Sequence, residues 1–178
     1  MPGIFLGIDV GLEGAVAVLG WKDAPVVYDT PILKIKTKDK TKREYDLPRM
    51  REILQPFILE DEVLVILEYA NAHPDQGVSS VFSFGRGTGL WEGLLTGLEL
   101  PYVKVTPKKW KHALLEGLPK GKGASIVVAK RLFPSVDLPR VKDHGKADAI
   151  LLAEYGRRTN RPNWEGEPND HKLSQVVS

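Results

Sequence analysis

The stretch FLGIDVGLEGAVAVL, residues 5–19, consists of two apolar runs separated by a short glycine-containing turn, and Asp9 ends the first run. Apolar runs of this length with glycine between them predict two antiparallel strands. A carboxylate at the edge of a core is unfavourable unless something pairs with it. Asp9 is therefore either a turn residue that reaches water or a ligand for a cation.

The rest of the chain predicts an α/β fold with one mixed sheet. The continuous aliphatic run EVLVILEYA, residues 62–70, is typical of a strand buried on both faces. A right-handed crossover places this strand parallel to the first one. We therefore expect five strands, three antiparallel and then parallel ones, flanked by helices. The remaining expected strands cover residues 25–32 and 101–106, and the expected helices cover residues 45–59, 79–98 (opened by a serine cap), 107–116, 123–133 and 146–158.

Length and composition limit the class of protein. A chain of 178 residues forms one domain by length; we place it at residues 1–158, with residues 159–178 as a flexible tail because they lack periodicity. The absence of cysteine excludes disulfides, zinc ribbons and thiol catalysis. No basic segment precedes the first apolar run, and no run approaches the roughly 20 residues of a membrane helix, so we expect a cytoplasmic protein with no signal peptide and no membrane partner.

The net charge of +2 hides two basic blocks. Residues 34–43, KIKTKDKTKR, carry six basic groups and one acid, and residues 104–131 carry eight basic groups and one acid. Each block alone is as typical of a solvated loop or helix face as of a binding site. Two such blocks on an otherwise acidic chain indicate contact with a polyanion over a defined surface.

Two acids end strands, and a third begins a helix. Asp9 and Glu68 each close an aliphatic strand, and open α/β sheets place their sites at the carboxyl ends of adjacent strands. Asp148 begins an apolar helix, and His144, four residues earlier, shares its face if the helix includes both. Taken singly, each of the four has an ordinary explanation as a turn residue, a solvated acid, a helix-dipole acid or a surface histidine.

As a set, these side chains suit Mg²⁺ or Mn²⁺. Two such ions, about 3.5–4 Å apart, can activate a water molecule and stabilise the leaving oxygen during attack on a phosphodiester. One carboxylate must then bridge both ions, and Asp9 on the central strand is our candidate. Glu68 and Asp148 would each hold one ion, and His144 would complete the second site or position the attacking water.

Four stretches, in order, resemble the RuvC-type Holliday-junction resolvases of the RNase H-like superfamily, in the compact form found in bacteriophages and related mobile elements. They are GIDVG, LEYA, VTPKKWKHALLEGLPKGKGASIVVAKRLFP and KADAILLAEY, all within residues 3–155. The resemblance implies an RNase H-like fold and a homodimeric endonuclease of DNA recombination and repair. It also implies hydrolysis with two metal ions per active site and paired nicks across a four-way DNA junction.

The resemblance assigns roles to individual residues. The three acids named above match the family's metal-binding acids. The family's fourth ligand, three residues before the last acid, falls on Gly145, which cannot coordinate a metal. We therefore expect His144 as the fourth ligand, with Asp143 as the alternative. A base-stacking aromatic of the family is replaced by Asn71, so base stacking and a cleavage-sequence preference are not implied.

The expected DNA contacts are basic residues on a helix, a glycine-rich turn and the long helix before them. Each neutralised phosphate adds salt-dependent affinity. Lys111 and Lys122 match family lysines that contact phosphates near the cleavage site. The long helix around VFSFGRGTGLWEGLL, residues 81–95, is the expected dimer contact, and Trp110 is expected in the core. The full set of expected DNA-binding residues is Lys108, Lys109, Lys111, Lys120, Lys122 and Arg86.

Other functions share parts of this pattern. An actin-like ATPase or sugar kinase also has a strand followed by glycine and aspartate, but it needs two lobes and this chain is too short. A catalytically silent RNase H-like DNA-binding protein would not need all three acids. A nuclease that acts on other branched DNA or on RNA–DNA hybrids would need the same acids, because only the geometry of the substrate differs.

Overall fold

The structure, a computed structural model, describes residues 3–70, 77–118 and 121–160. Asn71 and most of the expected tail, from residue 161 onward, lie outside the described residues. The strands are β1 (Ile4–Ile8), β2 (Ala15–Leu19), β3 (Val26–Asp29), β4 (Ile32–Lys36), β5 (Thr41–Tyr45), β6 (Val63–Glu68) and β7 (Tyr102–Val105). The α-helices are α1 (Leu47–Leu54), α2 (Val78–Gly97), α3 (Pro107–Leu115), α4 (Lys122–Leu132) and α5 (His144–Thr159).

β1 lies at the centre of a five-stranded sheet with the order β3–β2–β1–β6–β7. The pairs β1–β2 and β2–β3 are antiparallel, whereas β1–β6 and β6–β7 are parallel. The three inner strands are aliphatic and almost completely buried, as expected of strands covered on both faces. The mixed α/β sheet predicted from the sequence is therefore confirmed.

Helices cover both faces of this sheet. Ile150 of α5 joins residues of α3 and α4 in the core on one face, while Met50 of α1 and Trp91 of α2 fill the core on the other. α5 comes very close to the central strand, since a Cβ on Gly7 would lie 2.1 Å from the backbone oxygen of Ala149. Only glycine at this position permits that spacing, which fixes the height of α5 above the sheet.

β4 and β5 form a separate two-stranded antiparallel hairpin. Reading residues 34–43 as a solvated loop or helix face is therefore wrong. The lysines of this block alternate with Ile35, Thr37 and Thr41, and β-branched residues at every second position favour a strand. The turn closes where the N–H of Thr37 donates to the oxygen of Lys40 at 2.8 Å.

Two helix boundaries also differ from expectation. α2 begins after Gly77 with no side-chain cap, so the expected serine cap is wrong. The helix expected over residues 45–59 ends at Leu54 and continues as a 3₁₀ turn, because Pro56 has no N–H with which to extend the α-helical pattern. In the described part of the chain, none of the helices has both the length and the hydropathy to cross a membrane.

Candidate active site

Asp9 and Glu68 meet at the carboxyl ends of two adjacent parallel strands. Ile8, the last residue of β1, pairs with Leu67 of β6, so Asp9 lies beside Glu68, the last residue of β6. Asp9 also begins the tight turn into β2, where its Oδ1 accepts a hydrogen bond from the N–H of Gly11 at 3.3 Å. The turn therefore holds Asp9 at the sheet edge.

α5 adds Asp148 and His144 to this edge. The helix begins at His144, so His144 and Asp148 are one turn apart on the same face, and both line one cleft. Lys111 Nζ of α3 lies 3.6 Å from Asp148 Oδ2. Four elements that are distant in the sequence, β1, β6, α3 and α5, thus bring acids and a cation to one place.

Burial and mutual repulsion raise the pKa values of the two strand-end acids. Burial, followed by the negative charge of Asp148, raises the pKa of Asp9 from 3.8 to about 6. Burial, followed by the charge of Asp9, raises the pKa of Glu68 from 4.5 to about 7. Carboxylates that interact this strongly are stabilised in their ionised forms by a nearby cation.

Trp110 holds one of these carboxylates. Its side chain is fully buried, as expected, and its indole Nε1–H donates a hydrogen bond to Glu68 Oε1 at 3.0 Å. Lys111, the next residue, places Nζ 5.0 Å from the centre of the Trp110 ring. α3 thus supplies a hydrogen-bond donor and a cation to the same acidic edge.

The two alternatives for the fourth ligand have different surroundings. Asp143 accepts hydrogen bonds from the backbone N–H, Nε and Nη2 of Arg140 at 2.9, 3.2 and 2.6 Å. This interaction lowers the pKa of Asp143 to about 2 and commits its carboxylate to Arg140. His144 instead lines the cleft with Asp148. At Gly145 a Cβ would lie 2.3 Å from the backbone oxygen of Glu13, so the turn after β1 leaves no room for a side chain.

The donor set fits a divalent metal ion in its chemistry. Asp148 Oδ1 is buried without a hydrogen-bond partner in the described residues, and a bound cation would satisfy it. Carboxylates with one imidazole suit Mg²⁺ or Mn²⁺. Within residues 3–70, 77–118 and 121–160, no group of three or more Asp, Glu or His side chains is already arranged to hold a metal.

A cleft of about 690 Å³, lined by Asp148 and His144, lies between α3, the start of α4 and the start of α5. Lys108 and Lys111 line it, and Lys109 is half-buried on the same helix. Lys122 is the first residue of α4, whereas Lys120 lies outside the described residues. The helix α3 therefore brings several of the expected DNA-binding lysines to the edge that carries the acids.

Arg86 stands apart from this cleft. It lies on α2, and its Nη2 is 3.6 Å from Glu44 Oε2 on β5. About two fifths of its side chain remains exposed (43%), so the ion pair leaves the guanidinium accessible. Arg86 therefore belongs to a second basic region beside the hairpin.

The sequence analysis missed two residues that shape the site, Tyr45 and Trp110. Tyr45 is buried, and its Oη donates a hydrogen bond to the backbone oxygen of Val10 at 3.0 Å. Burial, followed by the charge of Asp9, raises the pKa of Tyr45. Neither the Tyr45–Val10 contact nor the Trp110–Glu68 bond has a periodicity or motif that could reveal it, because each joins residues more than 30 positions apart.

We expect the metal-free protein to lose stability as the pH rises from about 4 to about 7. The folded-state pKa values of Asp9 and Glu68 lie above their usual values, so the folded protein holds more protons than the unfolded chain in this interval. One pKa unit corresponds to about 1.4 kcal/mol, and we expect the free energy of unfolding to fall by an amount on the order of 3 kcal/mol. Urea unfolding in EDTA measures it, and Asp9→Asn should flatten the profile. Stability that rises with pH in this interval contradicts the expectation.

Trp110→Phe should weaken Mn²⁺ binding by roughly tenfold, because groups that orient metal ligands typically contribute 10- to 100-fold in affinity. Calorimetric titration of the protein with Mn²⁺ measures the change. The matched control is Trp91→Phe, since Trp91 is equally buried and its Nε1 has no hydrogen-bond partner in the described residues. Equal losses of affinity in the two variants would show that ring truncation, and not the bond to Glu68, is responsible.

Comparisons with known proteins place this geometry in context. No model of a known protein family matches the chain. Over 84 residues, or 46% of the chain, the sequence is 37% identical to the Holliday junction resolvase MOC1, chloroplastic, of Chlamydomonas reinhardtii. The matched region is 10% of that relative, so this chain spans only a small part of its length.

Two solved structures share the fold. The Thermus thermophilus RuvC structure has a TM-score of 0.53 and 16% identity, covering 85% of this chain and 92% of that one. T. thermophilus RuvC in complex with a Holliday junction substrate has a TM-score of 0.56 and 15% identity, covering 88% of this chain and 96% of that one. The chain therefore has the fold of RuvC, and its resemblance to the RuvC-type Holliday-junction resolvases is confirmed by this fold and by a partial sequence similarity.

Proposed function

We propose that the protein is a metal-dependent endonuclease that resolves four-way DNA junctions. The observation that carries the proposal is the meeting of Asp9, Glu68 and Asp148 at one sheet edge, with Lys111 Nζ 3.6 Å from Asp148. The RuvC fold and the partial similarity to a named Holliday junction resolvase support the choice of substrate. A cytoplasmic location remains a prediction from the composition.

The residues of the chain have distinct roles in this proposal. Asp9, which interacts electrostatically with both other acids, would be shared by two ions, Glu68 would hold one ion, and Asp148 with His144 would hold the other. Two divalent ions, when bound, supply an activated water and stabilise the leaving oxygen. Lys111 pairs with Asp148 in the structure and would turn to the scissile phosphate when the metal neutralises that acid. Mg²⁺ or Mn²⁺ suits the donor set equally.

The lysines beside the cleft would orient the DNA strand. Lys108 and Lys109 on the first turn of α3 and Lys122 at the start of α4 would contact phosphates on either side of the scissile one, together with Lys120, which lies outside the described residues. Arg86, about 43% exposed, would contact a phosphate farther away. Each contact adds affinity that falls with rising salt.

We also propose a homodimer that associates through α2. One face of this helix is exposed and carries Gly85, Gly89 and Gly93 at intervals of four residues, with nothing within 4 Å of a Cβ added at any of them. The same exposed helix carries Val78 and Phe82, which are 86% and 71% exposed. Each helical glycine is unfavourable by about 1 kcal/mol, and the described residues offer nothing that requires its small size.

A second copy of α2 packed against this face accounts for both observations. Helices with small residues at the contact can approach closely, and the apolar side chains at the start of α2 would then be covered. A two-fold dimer is symmetric, so it would present two equivalent acidic edges to opposite strands of a junction. Paired, symmetric nicks follow from that arrangement.

Asp9→Asn should abolish nicking while junction binding is retained, because the variant loses the shared metal ligand and keeps every lysine. We expect a loss of roughly 100-fold or more in the nicking rate. Labelled four-way junctions, Y-forks, linear duplexes and RNA–DNA hybrids, each incubated with Mg²⁺ and analysed on gels, measure activity and substrate choice together. Asp61→Asn is the control, since Asp61 is exposed next to the amino end of β6, at the opposite edge of the sheet.

Full nicking by Asp9→Asn would remove Asp9 from the mechanism. Preference of the wild type for a hybrid or a Y-fork over the junction would replace the proposed substrate. Binding without nicking on every substrate in the panel, with either metal, would identify a catalytically silent DNA-binding protein.

Gly89→Leu should convert the dimer to a monomer, because a leucine on the outward face of α2 blocks close approach of the second helix. Sedimentation equilibrium measures the change in mass. Gly123→Leu is the matched control, since Gly123 is also an exposed helical glycine with open space around it. A monomeric wild type, or a Gly89→Leu variant that dimerises as tightly as the wild type, would refute the proposed contact.

A further inference from the structure

The hairpin of β4 and β5 has a basic face that the candidate active site does not use. In its register Lys34 pairs with Arg43 and Lys36 with Thr41, so these four side chains lie on one face. The other face carries Leu33 and Ile35 of β4 and, on β5, Lys42 and Glu44, which form an ion pair. The hairpin therefore has a cationic side and a mixed apolar side.

The base of the hairpin is fixed to the edge that carries the candidate acids. Tyr45, on the same face as Arg43, donates a hydrogen bond to the backbone oxygen of Val10, the residue after Asp9, at 3.0 Å. Arg43 Nη1 lies 3.0 Å from Oε1 of Glu13, in the turn that follows Asp9. The basic face is therefore anchored beside the acidic edge and is not a freely moving arm.

The outer part of the hairpin carries charge without a partner in the structure. Lys34, Lys36, Lys38 and Lys40 are exposed, and none of them has an ion-pair partner among residues 3–70, 77–118 and 121–160. Nearer the base, Lys42 pairs with Glu44 at 2.6 Å. Uncompensated cations thus concentrate on the outer half, where a polyanion would relieve their mutual repulsion.

We propose that this basic face binds the sugar-phosphate backbone of a duplex DNA arm that leaves the candidate active site. The inference rests on the proposed nuclease function and extends it to a second contact region. Each strand has five residues, or about 17 Å at the usual rise of a strand. At about 3.4 Å for each base pair, the hairpin would follow the arm for roughly five base pairs.

The contact would recognise charge and shape, and not base sequence. Lysine on an exposed strand contacts phosphate as a point charge, and such contacts position DNA without reading its bases. Leu33 and Ile35, on the opposite face, are 47% and 42% exposed and face away from the proposed DNA surface. The side chains of Lys34 and Lys36 are two residues apart, so they would reach different phosphates of one strand.

The test is a double-mutant cycle between the hairpin and the DNA. The protein variant is Lys34→Gln with Lys36→Gln, and the DNA variants are four-way junctions with short runs of uncharged methylphosphonate linkages, placed in turn along each arm. Binding is measured in EDTA, so that no strand is cut, over a range of salt concentrations. The matched control is Lys130→Gln with Arg131→Gln, which removes two exposed charges from the end of α4.

We expect the hairpin variant to bind the natural junction about tenfold more weakly and to reduce the salt slope by about 2. One run of methylphosphonate linkages within about five base pairs of the cut should weaken binding by the wild type and leave binding by the hairpin variant almost unchanged. The control variant should instead lose affinity additively at the same position. Additive losses at every patch position or an unchanged salt slope would overturn the inference. A wild type that shows this coupling but nicks no substrate would overturn only the proposed nuclease function.

Discussion

The carboxylates of Asp9 and Glu68 repel each other at the ends of two neighbouring parallel strands, and the geometry of the site depends on that repulsion. The parallel pairing of β1 with β6 forces the two acids together, and burial raises the pKa of each above its usual value. Two buried acids side by side do not stabilise a sheet, because desolvation and the repulsion of like charges both oppose their ionisation. A cation bound at this edge, as the proposed function requires, would offset both penalties. The proposed function follows from this constraint.

The surrounding elements act on these two acids in different ways. α5 lies unusually low on the sheet because Gly7 has no side chain, and this brings Asp148 to the same edge. α3 contributes the indole N–H of Trp110 on one side and the ammonium group of Lys111 on the other. The hairpin is fixed to the adjacent turn through Tyr45. Three separate elements, α5, α3 and the hairpin, are therefore arranged around one unfavourable pair of charges.

The sequence allows much of the fold to be predicted, because the aliphatic strands and amphipathic helices leave clear periodic patterns. It also singles out the three acids as candidates, and the structure brings them to one sheet edge, while their role as metal ligands stays a prediction. The hairpin is harder to recognise, because lysines at every second position make the block resemble a solvated loop, although the β-branched residues between them favour a strand. The Trp110–Glu68 and Tyr45–Val10 bonds are equally hidden, since they join residues that only the tertiary structure brings together. The contact between Arg140 and Asp143, which favours His144 as the fourth ligand, also has no signature in the sequence.

The lack of space at Gly145 limits the substitutions that this protein can accept during evolution. A carboxylate cannot be introduced there by a single substitution, because its Cβ would collide with the backbone oxygen of Glu13. The turn after β1 would have to move first, and that turn also holds Asp9. Acquiring an acidic ligand at this position therefore needs at least two coordinated replacements, and any intermediate would disturb the residue on which catalysis is proposed to depend. Gly145 therefore prevents a stepwise replacement of the candidate ligands by a set that includes an acid at this position.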